Sequence, residues 1–303
     1  MNPSATHRFA WDGVSFDVPL DWDLAYQETR LGITRIRLED PVAVRLSGEW
    51  MRPEGPLDLG RIMTRFQDNS KRLRAVAKDS ETLTGVTPGW SAVVYRFPDS
   101  RRLGLAFYLA PKSALFAFYQ FHLDPGPPAE AISLVRRFMA SFDTFISGPV
   151  PWACYDIAFT MPAGFTLSSA TFNPGLKRFT FGRSLRRLYT WHVSLADLVL
   201  KKDKSPLLWA VKMLNKGDPV QGPVFKVLND ALVPTRPNLM PWCHFMELVR
   251  GCLKYKAGVR HEKDNNRLVL ACYQYRFESD LKWLAGTDLP FGDLKPQFSY
   301  LKS

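Results

Sequence analysis

His244 and Tyr273 are the side chains whose types and positions favour acid–base chemistry. One face of a predicted strand carries four residues spaced two apart: Trp242, His244, Met246 and Leu248. Because an imidazole titrates near neutral pH, a histidine that lines a pocket can give or take a proton there. A histidine on an apolar strand face is also a common core residue with one hydrogen bond. Two interpretations of His244 therefore stay open: a pocket shared with Tyr273, or a core position.

The cysteines do not have the spacing of a metal centre. The chain contains Cys154, Cys243, Cys252 and Cys272. Cys243 and Cys252 are separated by eight residues, which is not the spacing of a zinc finger. We therefore expect reduced thiols that pack as small apolar side chains.

The sequence carries no motif for nucleotide binding or covalent catalysis. A glycine-rich phosphate loop, a spaced GxGxxG, GxSxG, HExxH and CxxC are all absent. His261-Glu262 lacks a second histidine at the spacing that zinc enzymes use. His192 shares a strand face with Thr190 and Ser194, which predicts a solvent-exposed position. We predict no catalytic residue, no metal and no cofactor.

Positive charge is concentrated in the second half of the chain. Residues 1–150 contain 18 Lys and Arg against 17 Asp and Glu, whereas residues 151–303 contain 22 against 12. The excess is clustered, and the predicted anion-binding or partner-binding residues are Arg183, Arg186, Arg187, Lys201, Lys202, Lys254, Lys256 and Arg260. Such a field attracts an acidic protein, a nucleic acid or an anionic membrane surface, and it also serves solubility.

An internal duplication determines the elements that position these residues. Four segment pairs match in the same order: Val14–Leu24 with Ile157–Leu167, Gly32–Leu38 with Gly175–Phe181, Trp90 with Trp242, and Ala117–Phe121 with Ala271–Tyr275. The offset grows from 143 to 154 residues, which loop insertions explain. We therefore predict two domains, 1–146 and 152–303, joined by a linker at 147–151.

Each copy has the pattern of strands, a helix and an antiparallel meander. Copy one predicts strands at 14–18, 33–38 and 42–50, a helix after Pro56, meander strands near 90–97, 103–109 and 114–122, and a helix from Pro128 to about 145. Copy two predicts a helix from Ser205-Pro206 to near Gly217, meander strands near 242–249, 252–260 and 267–277, and a short helix at 281–285. The fold class is α+β, in two tandem copies of a mainly antiparallel sheet flanked by helices.

The opening pattern and the order of elements resemble the Mog1/PsbP-like domains. Phe16, Pro19 and Trp22 carry this pattern, Phe-x-x-Pro-x-x-Trp, and the resemblance covers each half once. It implies a sheet flanked by helices and a family in which binding and adaptor roles dominate over catalysis. No residue role is carried over, because no binding motif of the family matches here.

The membrane and targeting signals favour a cytoplasmic protein. The N-terminal residues lack an apolar run preceded by positive charge. Leu103–Phe121 is apolar over 19 residues with Lys112 as its one charge, a length that hydropathy alone would assign to a membrane span. The turn signal at Ala110–Ser113 favours two short strands instead, so we predict no transmembrane segment.

Three hypotheses for function follow from these patterns. The first is a non-enzymatic binding or adaptor protein of two fused homologous domains, whose basic second domain contacts an acidic protein partner. The second is a nucleic-acid-binding protein that uses the same basic face. The third is an enzyme with a pocket near His244. The sequence predicts no particular small-molecule ligand.

Overall fold

The structure, a computed structural model, describes residues 5–52, 59–84, 87–99, 101–110, 115–145, 147–216, 220, 223–235 and 249–292. The chain divides into two compact units. Unit one is Met1–Ile146 with Pro151–Ala158, and unit two is Ser147–Val150 with Phe159–Ser303. The predicted boundaries, 1–146 and 152–303, differ from this division at Pro151–Ala158, which belongs to unit one.

Unit one is built around a seven-stranded sheet. The elements up to the boundary are β1 (Thr6–Trp11), β2 (Val14–Pro19), β3 (Asp23–Arg30), β4 (Ile33–Glu39), β5 (Val44–Met51), α1 (Leu59–Val76), β6 (Asp79–Leu83), β7 (Trp90–Arg96), β8 (Arg102–Ala110), β9 (Leu115–Leu123), α2 (Pro128–Ser141), β10 (Asp143–Thr144) and β11 (Val150–Cys154). The order of the large sheet is β3-β4-β5-β9-β8-β7-β6, and a smaller sheet contains β10, β2, β1 and β11 as neighbours. β11 joins unit one because Ala153 pairs with Ala10 of β1.

Helix α2 covers one face of the large sheet. It begins at Pro128, where a missing N–H costs nothing, and it buries Val135, Phe138 and Met139. The Phe138 ring lies 4.8 Å from Tyr119 of β9 and 4.6 Å from Phe16 of β2, centroid to centroid. These aromatic contacts make this face the main core of unit one.

Helix α1 covers only part of the opposite face. Leu73 and Ala77, at and just beyond its end, pack against a cluster that includes Tyr95 of β7 and Phe107 of β8. The neighbouring strands β4 and β5 present Arg35 and Glu49 on that side instead. Among the described residues, β4 and β5 therefore carry an ion pair on this face.

Unit two is built around a five-stranded sheet. The elements from the boundary on are β12 (Ile157–Met161), β13 (Thr166–Asn173), β14 (Leu176–Arg183), β15 (Arg186–Ser194), α3 (Ala196–Asp203), α4 (Pro206–Leu214), β16 (Val224–Leu228), β17 (Ala231–Thr235), β18 (Lys254–Glu262), β19 (Arg267–Tyr275) and a 3-10 helix (Glu278–Leu284). The sheet order is β13-β14-β15-β19-β18, and β16 and β17 form a separate hairpin. All described strand pairs are antiparallel.

Helices α3 and α4 and the β16–β17 hairpin cover one face of this sheet. Ser205 caps α4 by accepting a hydrogen bond from the N–H of Leu208, as the Ser-Pro pattern predicts. Trp209 of α4 and Phe225 of β16 then pack with Trp191 in one apolar cluster. This face is therefore a closed core.

The α+β class and the antiparallel sheets are confirmed, and so are the predicted strands of copy one and the helix after Ser205. Leu103–Phe121 supplies the hairpin β8–β9, and no helix among the described residues has the length and apolarity to cross a membrane. The strand predicted at 242–249 falls outside the described residues except at Val249, which is helical, so that part of the prediction is wrong.

The predicted solvent position of His192 is also wrong. The side chain is 3% exposed, and its ring stacks on Phe159 at a centroid distance of 5.1 Å. Alternation correctly placed His192 opposite Trp191, but both faces of β15 are covered. Alternation along a strand shows which side chains lie on opposite faces of the sheet. It does not show whether either face is exposed to solvent.

Strand register changes one of the matched pairs. If Leu38 and Phe181 are equivalent, as the offset of 143 predicts, each begins a row of paired residues across its sheet. The row from Leu38 runs through Leu46 to Phe121, and the row from Phe181 runs through Leu188 to Tyr273. Tyr273 therefore aligns with Phe121 at an offset of 152, and the sequence match of Tyr119 with Tyr273 is two residues out of register.

Candidate partner-binding surface

The arginines at the β14–β15 turn are engaged within unit two. Arg186 donates two hydrogen bonds of 3.0 Å to the Asp280 carboxylate, which is almost fully buried. Asp280 also accepts from the backbone N–H groups of Arg276 and Phe277 at 3.1 and 3.0 Å. Burial raises the pKa of Asp280, but the hydrogen bonds from Arg186 and the backbone outweigh it and hold the pKa below 3.8. The charge of Arg186 is thus neutralised inside the unit.

Arg183 and Arg187 also have internal partners. Arg183 donates to the Ala163 carbonyl at 2.9 Å, and its guanidinium lies 4.2 Å from the centre of the Trp283 ring. Arg186 lies 4.7 Å from the same ring. Arg187 donates to the carbonyls of Ser184 and Arg186. Arg183 and Arg186 thus hold the turn against the 3-10 helix, whereas Arg187 bonds within the turn.

The basic residues of β18 lie mostly in exposed ion pairs. Lys254 is 2.7 Å from Glu278, and Arg260 is 2.7 Å from Glu262, with all four side chains in contact with water. Lys256 lies between them in sequence on the same strand face and is half-buried. Exposed pairs of this kind contribute little to stability and remain available to a competing anion.

Lys201 and Lys202 differ from the other predicted residues because they are exposed and have no carboxylate partner among the described residues. They lie in the last turn of α3, where a positive charge is favourable at the helix C-terminus. Lys204 follows at the C-cap and is also exposed. None of these three has an ion-pair partner within the described part of the chain.

Further lysines and exposed leucines adjoin this helix. The outer side of α3 exposes Leu195 at its N-cap by 57% and Leu198 by 59%. Exposed Lys212 of α4 pairs with Asp203 at the end of α3, which connects the two helices. Asn215 bonds both backbone groups of Phe225, which brings exposed Lys226 of β16 to the end of α4.

We define the lysine surface as Leu195, Leu198, Lys201, Lys202, Lys204, Leu208, Lys212, Lys216 and Lys226. Sequence reasoning identified Lys201 and Lys202 but missed the leucines and the lysines of α4 and β16. The missed signal was the spacing of Leu195, Leu198 and Lys202, which places apolar and basic residues on one outward side of a helix. A mixed apolar and basic surface suits a partner with acidic and apolar groups.

Tyr273, the predicted pocket residue, lies in the core. It has no exposed area, and its ring stacks on Tyr275 at a centroid distance of 5.4 Å. Burial raises the pKa of its hydroxyl well above the ordinary value, which disfavours proton release. His244 lies outside the described residues, so the pocket they were predicted to share stays a prediction.

The described cysteines are buried. Cys154, Cys252 and Cys272 are thiols inside the units, and burial raises the pKa of the latter two. Cys243 lies outside the described residues. Within the residues that the structure describes, no three His, Cys, Asp or Glu side chains are grouped as metal ligands. The absence of a metal or a cofactor stays a prediction.

Two solved structures are similar to part of this chain. A point mutant of the protein Mog1 matches with 11% identity and a TM-score of 0.31, covering 46% of this chain and 96% of that chain. The Ran-binding protein Mog1p of Saccharomyces cerevisiae matches with 11% identity and a TM-score of 0.29, with the same coverages. Both carry the name of the family that the sequence resembles. No family model and no curated protein matches the sequence.

Proposed function

We propose that this chain is a non-enzymatic binding or adaptor protein, and that unit two contacts an acidic protein partner through the lysine surface. The observation that carries this proposal is the combination of exposed leucines with Lys201, Lys202 and Lys204, which have no carboxylate partner among the described residues. Apolar contacts supply binding free energy, while unpaired lysines speed encounter and select for acidic partners.

The proposal moves the interaction surface away from Arg183, Arg186 and Arg187. Removing Arg186 would leave the buried Asp280 carboxylate without its counter-charge, so a charge reversal there would test folding more than binding. Lys201 and Lys202 carry no such structural duty. They are therefore the residues on which the charge test should be made.

The experiment uses the full chain and a synthetic peptide of alternating Glu and Leu residues as the probe. Reversing Lys201 and Lys202 to Glu should weaken binding about tenfold or more, mostly through the association rate, and added salt should weaken binding of the parent. The matched control reverses Arg136 and Arg137, an adjacent exposed pair on α2 of unit one. Equal affinity of the parent and the Lys201/Lys202 variant at low salt would refute the proposal.

The same experiment distinguishes the nucleic-acid hypothesis. A mixed-sequence oligonucleotide replaces the peptide, and its affinity is followed against salt. Leucines on the surface favour the protein partner, since phosphate contacts need no apolar groups. If the oligonucleotide binds more tightly than the peptide and loses affinity in the same variant, unit two is a nucleic-acid-binding module instead.

We also infer that the two units are fused homologous domains. Support comes from the matched segments and from the shared strand order, β3-β4-β5-β9-β8 in unit one and β13-β14-β15-β19-β18 in unit two. An experimental structure tests this by superposition of the two sheets. Trp22 should coincide with Phe165, and Phe121 with Tyr273; failure of both pairs to coincide would reject a common origin.

A further inference from the structure

Unit one contains a cleft of about 370 Å³ between α2 and the edge of the large sheet. The first turn of α2 supplies Pro128 and Ile132, β7 supplies Val94 and Arg96, and β8 supplies Arg102. Asp79 and Glu81 of β6 line the opposite side. The volume lies in the range of small-molecule sites, so the question is which chemistry these side chains would bind.

Arg102 is buried without a carboxylate. It is 8% exposed, comparable to Arg45 at 9% and Arg267 at 6%. Arg45 lies 2.6 Å from both Asp40 and Asp124, and Arg267 lies 3.8 Å from Glu262. In the part of the chain that the structure describes, Arg102 has only a long contact of 3.4 Å from its Nη1 to the Asp124 carbonyl. A buried guanidinium without a counter-charge is costly, and an anion in the cleft would remove that cost.

A second arginine lines the same cleft. Arg96 lies directly opposite Arg102 in the sheet, and its charge is neutralised by Asp79 on its other side. Its Nε, however, is buried and has no hydrogen-bond partner among the described residues. Because this Nε has no accessible surface, Arg102 is the guanidinium that is available to a carboxylate in the cleft.

Glu81 supplies the opposite charge on the other side of the cleft. It is exposed, and no described residue forms an ion pair with it, even though both arginines line the same cleft. The apolar side chains of Val94, Pro128 and Ile132 line the same cleft. The cleft thus offers an anion site, a cation site and an apolar wall within one small volume.

We propose that this cleft binds a free α-amino acid with an apolar side chain. The carboxylate accepts hydrogen bonds from Arg102, and the ammonium group donates to Glu81. The side chain packs on the wall formed by Val94, Pro128 and Ile132. Neither an amine nor a carboxylic acid of the same size satisfies both charged sides.

The experiment follows backbone amide signals of the full chain by NMR during titration with L-valine, L-leucine or L-methionine. Saturable shifts at 79–81, 94–96 and 128–132 with at least one of them are expected. For the amino acid that binds, the decarboxylated amine and the deaminated acid of the same carbon skeleton should bind about tenfold or more weakly. No saturable shift with any of the three, or equal binding of the amine or the acid, overturns the proposal.

Variants separate binding from folding. Glu81→Gln and Arg102→Lys should each lower affinity about tenfold or more, and Glu81 is exposed, so its variant keeps the fold. The control is Arg101→Gln, a neighbouring exposed arginine paired with Asp99. Unchanged affinity in Glu81→Gln overturns the assignment even if the Arg102 variant fails to fold. Loss in both variants with an unchanged control supports it.

Discussion

Five strands occur in the same order in both large sheets, but the elements that cover these strands differ between the units. In unit one, the row Arg35, Glu49, Phe118 crosses β4, β5 and β9, and its β5 member is a carboxylate. In unit two, the corresponding row is Arg178, Trp191, Leu270, and its middle member is a fully buried indole. The difference follows from the covering elements. Among the described residues, the apolar contacts of helix α1 are with β7 and β8, whereas α3 and α4 pack on β15.

In a second row, the larger residue of a cross-strand pair lies on different strands in the two units. Gly48 of β5 lies opposite Tyr119 of β9, and a side-chain Cβ at Gly48 would approach the Tyr119 ring to 2.6 Å. The corresponding pair in unit two is Thr190 opposite Ala271. The larger residue has moved from one strand to its neighbour. One backbone arrangement thus accepts either distribution of volume.

The largest effect is expected from removing the buried indole. Trp191→Ala should destabilise unit two by about 3–5 kcal/mol, because it leaves a cavity under α3 and α4. Glu49→Ala, at the corresponding position of unit one, should cost less than about 1 kcal/mol, since an accessible ion pair is lost. Urea unfolding with hydrogen exchange resolved by peptide assigns each loss to its unit. Similar costs for both variants would contradict the assigned difference in cover.

A somewhat smaller effect is expected at Asp280. Asp280→Asn should cost about 3 kcal/mol, because Arg186 stays almost buried and loses its counter-charge. The control is Asp99→Asn in unit one, whose exposed pair with Arg101 should leave the unfolding midpoint unchanged. An unchanged midpoint in Asp280→Asn would show that Arg186 reaches water and is available to a partner after all.

The next largest loss of stability is expected when a glycine of unit two is replaced by the alanine found at the corresponding position of unit one. Gly258 corresponds to Ala106 of unit one, but a Cβ there would lie 1.5 Å from the Pro290 carbonyl oxygen. Gly258→Ala should therefore cost about 1–3 kcal/mol and expose the segment near Pro290 to hydrogen exchange. Gly126→Ala is the control, because its Cβ would meet only Glu130 at 3.9 Å. Normal protection near Pro290 in Gly258→Ala would contradict the close approach.

The smallest effect is a pH dependence that both units share. Hydrogen bonds outweigh burial and lower the pKa of both Asp280 and Asp40 below 3.8. A carboxylate with a lowered folded pKa stabilises the fold above its unfolded pKa, and this stabilisation is lost as pH falls through the folded value. The urea midpoint should thus fall between about pH 5 and pH 2. In Asp280→Asn, the acid loss in unit two should shrink while that of unit one stays; an identical loss would exclude Asp280 as a source.

Much of unit one could be predicted from local patterns. Alternation predicted β2 and β4, the proline at position 128 predicted the start of α2, and the turn signal near Pro111 predicted the β8–β9 hairpin. Strand β1 was missed, because Thr6–Trp11 lacks strict alternation and becomes a strand by pairing with β2. The candidate surface was predicted in part. Lys201 and Lys202 follow from composition, whereas the exposed leucines beside them depend on how α3 lies against the sheet.

The sequence by itself determined the α+β class, the antiparallel meanders and the excess charge of the second half, since these depend on residue type and short spacing. Only the tertiary structure decided which charges are available. Arg186 and Lys202 are equally basic in sequence, yet one meets Asp280, 94 residues away along the chain, and the other meets no carboxylate among the described residues. Likewise, only the tertiary structure buried Arg102 without a counter-charge. Burial and pairing depend on residues distant in sequence, so local patterns carry no information about them.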